Sequence, residues 1–263
     1  MNRNERTMLD LIKRGRDEFG IVALKAEFEA EGTRPDELLR LLEIAFRADI
    51  KLALKIGGCE ALSDLFATKL YGANYVIAPM VETPYALTKF VESKSKSHVA
   101  GDTDTEFLVN METKTGLSNL ADMASIAVAE SIGFVFGRVD FTLSCGMPRG
   151  AINDPRITES VLEVARVCAT HDLSLVVGGS VTTESLPALR QFRALRLDRF
   201  ETRKVVFDGA LVESPKFAAG IQVALDFEAC WLINKRDYYA EIAAEDSKRI
   251  EMIQARAGKE RIR

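Results

Sequence analysis

Short apolar runs alternate with amphipathic stretches along most of the chain. "GIVALKAEFE" (20–29) is followed by "PDELLRLLEIAFRAD", in which Leu38, Leu41, Leu42 and Ala45 recur at helical spacing. The unit repeats as "IKLALKIG" with "CEALSDLFATKLYG", closed by Gly72, and as "NYVIAPMVET" with "PYALTKFVESKSKS", opened by Pro84. A polar loop, "SHVAGDTDTE", leads to the strand "FLVNMET". The helix "LSNLADMASIAVAESIG" follows, with Ser118 as its cap, and then the strand "GFVFGRVD". The loop "FTLSCGMPRGAINDP" precedes the helix "RITESVLEVARVCATHD", and "LSLVVGGSV" with "TESLPALRQFRA" makes one more unit. "LRLDRFETRKVVFDGAL" supplies two last strands with only a tight connection between them, and the chain from Pro215 reads as helix.

Such alternation demands parallel strands joined by helical crossovers. Seven or eight units in roughly 200 residues predict an α/β fold of the closed (β/α)8 TIM-barrel type. No G-x-G-x-x-G opens the first unit, which argues against a dinucleotide-binding sheet. No linker or low-complexity segment divides the 263 residues, so residues 1–263 are expected to form a single barrel domain. It carries an N-terminal helix and, over 215–263, a C-terminal helical extension.

Composition removes several function classes. A net charge of −4 gives no electrostatic reason to expect nucleic acid or an anionic membrane as partner, and the basic tail "KERIR" is too short to change that. Cys59, Cys145, Cys168 and Cys230 are far apart and lack metal-ligand spacing; reduced thiols are the simplest reading. The charged N-terminus has no apolar signal region, and no run approaches the ~20 apolar residues of a membrane span, so a cytoplasmic protein is expected.

The barrel reading locates the chemistry, because active sites of such folds lie at the C-terminal ends of the strands. Several strands end in charged or polar residues: Lys25 and Glu27, Lys55, Glu82, Asn110 and Glu112, Arg138 and Asp140. Glu112 and Asp140 lie 28 residues apart, about one strand–helix repeat, which predicts carboxylates at one level on neighbouring strands. Two carboxylates so placed either share a proton or hold a cation, and oxygen ligands without histidine or thiolate favour Mg2+ or Mn2+ over zinc.

At these residues the chain resembles a known family. "LVNMETKTGLSNL" and, beyond it, "GFVFGRVDFT" are similar to the paired strand motifs of the HpcH/HpaI aldolase and citrate lyase family of the phosphoenolpyruvate/pyruvate barrel superfamily. "KIGGCEALSDLFATKLYGANYVIAPMVETPYAL" is similar to that family's second and third strands, and the resemblance spans roughly residues 20 to 182. It implies a divalent metal on Glu112 and Asp140, with Asn110 ordering the metal's water. The amides around Val139 and Asp140 would meet the carboxylate of a 2-oxo acid. Lys55 stands where the family usually has a substrate-binding arginine; lysine keeps the charge without the planar fork. Phe28 stands where bacterial aldolases have a proton-transferring histidine, which leaves a metal-bound water, Glu27 or Glu29 for that task. His98, in a polar loop, is the histidine able to reach over the mouth, and His171 reads as a helix end.

Blander readings stand beside these. Glu112 and Asp140 also suit structural pairing with Lys55, Lys114 or Arg138. Arg138 is either a substrate-anion contact or a rim residue. Lys55 binds substrate or neutralises Glu82 or Glu112, and Glu82 caps the helix after it or pairs with Lys55. "VVGGSV" is an anion-binding turn or a tight turn in which Ser180 or Thr182 caps the next helix. The function expected is a metal-dependent carbon–carbon lyase or aldolase acting through a pyruvate-type enolate of a 2-oxo acid, with an aldehyde as second substrate. The alternatives are citrate-lyase-like cleavage of an acyl-CoA thioester, and a non-catalytic barrel that binds a metal and an acid. Trp231, Tyr238 and Tyr239 on the C-terminal helices suit a homo-oligomer interface or, equally, packing within the core.

Overall fold

Alternation within each strand decides what faces the barrel axis and what faces the helices. In the computed structural model, which describes residues 1–98 and 104–257, β1 (Ile21–Glu27) turns Leu24 and Ala26 outward, and Ala23, Lys25 and Glu27 inward. The order continues through α2 (Pro35–Arg47), β2 (Lys51–Lys55), α3 (Leu62–Leu70), β3 (Tyr75–Ala78) and α4 (Pro84–Ser97). Next come β4 (Glu106–Met111), α5 (Lys114–Ser118), α6 (Leu120–Glu130), β5 (Gly133–Gly137), α7 (Arg138–Ser144) and α8 (Pro155–His171). β6 (Leu175–Gly178), α9 (Leu186–Leu195), β7 (Arg199–Glu201) and β8 (Val205–Asp208) complete the barrel. It is flanked by α1 (Arg3–Phe19) and α10 (Phe217–Ala257). The loop residues 99–103 and the basic tail 258–263 lie outside the described residues.

The eight strands close in chain order, β1 to β8, as a TIM-like barrel. Outward residues such as Phe107, Val109, Met111, Phe134, Phe136 and Phe200 build the core between strands and helices. A smaller inner core of Ala23, Ala53, Tyr75, Ile77, Leu108, Val135, Val176 and Val206 fills the barrel's middle. Above it the inward positions turn polar or become glycine. That change of residue type, at constant alternation, marks the mouth.

One strand departs from the expected parallel arrangement. β8 runs antiparallel to both β7 and β1. Thr202 to Lys204 are too few for a helical crossover, which needs about a dozen residues, so the chain turns back as a hairpin. The hairpin therefore sits at the mouth. There Lys204 and Arg203 both pair with Glu31 of the β1–α2 loop, and Lys204 lies over the Trp231 ring of α10.

Two caps also differ from expectation. Ser118 ends α5 instead of capping the next helix, because Thr113 starts that short helix by accepting from the Gly116 amide. Asn119 then becomes the junction to α6. α10 is a single helix of 41 residues. Its first half docks on α1 and α2 through Trp231, Lys235 and Tyr239, whereas residues 241–253 are exposed. No described helix is long and apolar enough to cross a membrane.

Candidate active site

Glu112 is positioned by its neighbours at the mouth. Glu112, just past β4 and buried, accepts from the Met80 amide at Oε1 (2.9 Å) and from Asn110 Nδ2 at Oε2 (2.7 Å). Met80 donates from a left-handed backbone (φ 52°), a conformation costly for a side chain of its kind, so local strain is retained where it aims an amide at Glu112. Gly137 makes room: a β-carbon there would lie 2.9 Å from Glu112 Oε2.

Asp140 is not level with Glu112. Met111 pairs with Phe136, which puts Gly137 opposite Glu112; Asp140 follows in the first turn of α7, exposed. The 28-residue spacing thus spans a strand plus a helical turn, not a strand register. Among the described residues, Asp140 has no ion pair or side-chain hydrogen bond, and its carboxylate stays available at the rim.

Lys55 bridges Glu29 (3.0 Å) and Glu112 Oε2 (3.8 Å), and so neutralises the Glu112 side of the mouth. Glu27 sits 3.1 Å from Lys25. Burial alone would raise its pKa, but Lys25 and Lys55 outweigh burial and hold the carboxyl below the ordinary range. A carboxylate held that way is a weak base at neutral pH. Lys25 also contacts Glu201; burial would lower the amine's pKa, yet the two carboxylates together raise it, so it stays charged and non-nucleophilic.

Arg138 has a different place from that of a rim residue. It is fully buried, and its guanidinium donates to Gly178 O (3.2 Å), Gly179 O (3.0 Å), Asn153 Oδ1 (3.0 Å) and Ser185 Oγ (3.2 Å). Burial without a carboxylate partner pulls its pKa down to about 10, still cationic at neutral pH. Its role is to hold the "GGS" turn against α7. There Gly179 (φ 88°) comes so close that a β-carbon would lie 2.7 Å from the Val139 amide nitrogen. Thr182 caps the following 3-10 turn through the Glu184 amide, while Ser180 adopts a left-handed conformation.

Other expectations change as well. Glu82 neither caps α4 nor meets Lys55: Thr83 is the cap, and Glu82 accepts from the Thr113 hydroxyl at 2.6 Å. His98 does not reach the mouth. α4 runs back down the barrel, so its end delivers His98 to the start of β4, edge-on to Phe107 and 2.9 Å from Ser97 Oγ. Burial and Lys69 lower its pKa. Phe28 packs against the outer core.

Sequence reasoning overlooked Glu201. Its signal was present: "FET" at the end of β7 repeats the "MET" that closes β4 and the "VET" that follows β3, each an acid followed by threonine. Glu201 Oε2 and Asn110 Oδ1 are buried acceptors with no hydrogen-bond partner among the described residues.

The model of the family described as HpcH/HpaI aldolase/citrate lyase matches residues 60–186, the segment that holds Asn110, Glu112, Arg138 and Asp140. The fold is a TIM-like barrel, and the matched segment is similar to that family. Two solved structures agree in fold at a TM-score of 0.59. An HpcH/HpaI aldolase from Desulfitobacterium hafniense DCB-2 is 14% identical, covering 82% of this chain and 88% of its own. An HpcH/HpaI aldolase/citrate lyase family protein from Burkholderia cenocepacia J2315 is 13% identical, covering 91% and 90%. RipC from Yersinia pestis matches at 0.50, with 14% identity over 78% and 88%. No curated protein matches. The family so described is one of aldolases and citrate lyases. Lys25, Glu27, Lys55 and Glu201 all lie outside the matched segment.

Proposed function

We propose that this barrel is a divalent-metal-dependent carbon–carbon lyase, a class II aldolase acting through a pyruvate-type enolate of a 2-oxo acid, with an aldehyde as the other substrate. The observation that carries the reading is the buried Asn110 Oδ1, an acceptor without a partner whose own amide group donates to Glu112. An oxygen acceptor left open beside a carboxylate suits a cation or its water. The cradle above Gly137 and the uncommitted Asp140 fit the same group. Among the described residues no three His, Cys, Asp or Glu gather at metal-binding spacing. Glu112 and Asp140 would therefore hold Mg2+ or Mn2+ largely by charge, with Asn110 on a bound water.

When bound, the cation supplies positive charge against the oxyanion that develops as the carbon–carbon bond breaks. The chain's own contribution is orientation. Met80 and Asn110 fix the Glu112 carboxylate, Lys55 balances its charge, and the Val139 and Asp140 amides at the start of α7 suit the substrate carboxylate. Gly137 leaves those amides without a side-chain cap.

The test is exchange of the pyruvate methyl protons with deuterium, followed by NMR with Mn2+ or Mg2+ and then with EDTA. Metal-dependent exchange that disappears in Glu112→Gln and Asp140→Asn supports the reading; folded protein with no exchange in any condition overturns it. The absence of a histidine at the mouth among the described residues favours a second reading, a non-catalytic barrel that binds metal and acid. Metal binding without exchange would establish it. Association between copies through α10 belongs to the same proposal, since Ile242, Ile250, Met252 and Ile253 are exposed. Sedimentation before and after truncation at residue 241 tests it.

A further inference from the structure

Strand register places four residues in one row across the mouth. Glu112 follows Met111, which pairs with Phe136; Gly137 pairs with Gly178; Glu201 follows Phe200, which pairs with Val177. The row reads carboxylate, glycine, glycine, carboxylate. Both acids lean inward over the glycine beside them, since a β-carbon at Gly137 or at Gly178 would lie 2.9 Å from Glu112 Oε2 or Glu201 Oε1 respectively. With strands ~4.8 Å apart, β4 and β7 lie three spacings or roughly 14 Å apart along the sheet, and the two carboxylates face each other, each over the glycine beside it.

Glu201 is more than Lys25's counterion. Glu27 already stands 3.1 Å from that amine, so a second carboxylate leaves the cluster one negative charge in excess. Lys25 engages Glu201 Oε1, while Oε2 is buried without a partner among the described residues, in a residue only 4% exposed. An unpaired buried carboxylate oxygen demands a donor. A second divalent cation is disfavoured there, because the Lys25 ammonium shares the same carboxylate and would repel it. A neutral hydroxyl meets the demand without that repulsion.

We infer that the gap between the Glu112 and Glu201 carboxylates, above Gly137 and Gly178, is the subsite for the aldehyde half of the substrate, and that Glu201 selects a neutral, hydroxyl-bearing aldehyde over an alkyl or anionic one. This rests on the aldolase reading and names its second substrate. The hydroxyl donates to Glu201 Oε2; an alkyl group leaves that oxygen unpaired, and a carboxylate repels it. Glu201 is here a specificity-determining residue and moves no proton.

The experiment compares glycolaldehyde, its alkyl isostere propionaldehyde and the anionic glyoxylate as acceptors of pyruvate with the Mn2+-loaded protein. Wild type is expected to favour glycolaldehyde by at least ~10-fold in kcat/KM over each of the others. Glu201→Gln keeps the shape and leaves Glu27 to neutralise Lys25; it should cut the preference over glyoxylate most. Gly178→Ala, which crowds Glu201 while keeping its charge, serves if that variant does not fold, and should lower the preference too. Pyruvate exchange in wild type with no preference among the aldehydes overturns this inference and leaves the enolate reading intact. Absent exchange overturns the enolate reading, and saturation-transfer NMR without turnover then decides. A glycolaldehyde signal stronger than that of propionaldehyde, and weakened in Glu201→Gln, supports the subsite. Equal signals, or none, sink it.

Discussion

The two ends of this barrel are both lined with charge, yet they treat it differently. At the N-terminal end a cavity of about 680 Å³ is bordered by Lys51, Tyr75, Asp198, Arg199 and Asp208 among others. There the side chains answer each other: Arg199 grips Glu106 with two nitrogens and lies over the Tyr75 ring, Asp198 pairs with Arg196, and Asp208 caps its own turn. Burial would raise the Glu106 pKa, but Arg199 outweighs it, and both partners shift toward their charged forms. At the C-terminal mouth, Asn110 and Glu201 keep open acceptors, Asp140 is uncommitted, and Met80 and Ser180 hold left-handed backbone. What sets the mouth apart is its open oxygen acceptors; left-handed backbone occurs at both ends, with Asp49, Ser131 and Asp172 at the other, where His98 Nε2 is also without a partner among the described residues.

The comparison breaks if substituting the open carboxylates of the mouth lowers stability and spares activity, or if substitutions at the N-terminal end lower activity. The largest effect expected is at the mouth: Glu112→Gln should lower metal-dependent pyruvate exchange by about 10²–10³-fold while the melting temperature holds or rises. Mn2+ affinity measured by EPR should fall with it. Next is Lys25, the mouth's structural charge. Lys25→Met leaves Glu27 and Glu201 without their ammonium and should cost about 3–5 kcal/mol at pH 8, read by urea unfolding.

The sign of its pH dependence is set by the shifts. Glu27, with its pKa held low in the fold, contributes stability above the unfolded value of about 4.3 and loses it as pH falls through the folded one. Lys25, raised in the fold, contributes below about 10.4 and loses it only as pH climbs through the folded value. Wild type should therefore be level across roughly pH 5–10 as far as this cluster is concerned, whereas Lys25→Met should gain stability as pH falls from about 8 to 5. A Lys25→Met curve parallel to wild type would show that the cluster is not coupled.

At the opposite end, Arg199→Ala should cost about 2 kcal/mol, discounted because Glu106 is partly exposed, with exchange kinetics unchanged. The smallest effect is at Met80. Met80→Gly relieves the left-handed strain but adds chain entropy, for a net gain of about 0.5 kcal/mol by thermal melt. Its amide still reaches Glu112, so Mn2+ affinity should not move. A large affinity loss would mean that the side chain, not the amide, orders the site.

Much of the scaffold was legible in the residues. Helix and strand periods differ enough to be read directly, and α4 begins and ends where its proline and polar tail place it, Pro84 to Ser97. Strand ends that turn from apolar to acidic pointed to Glu112 and Asn110. What was misread depends on direction and distance between elements. His98 reads as a mouth residue only if the return of α4 to the far end is ignored. Arg138 reads as an anion contact until the "GGS" turn is seen folded onto it. Asp140 reads as level with Glu112 until the register shows Gly137 there.

The sequence by itself determined the repeating units, the barrel class and the acidic character of the mouth, because local periodicity and residue chemistry act over a few neighbours along the chain. Only the tertiary structure decided which charges are spent on one another. Lys25 meets Glu201 across 176 residues of sequence, and Arg138 meets Ser185 across 47. Pairings of that kind follow from barrel closure and strand register, and a buried charge is structural or available according to which partner that closure brings to it.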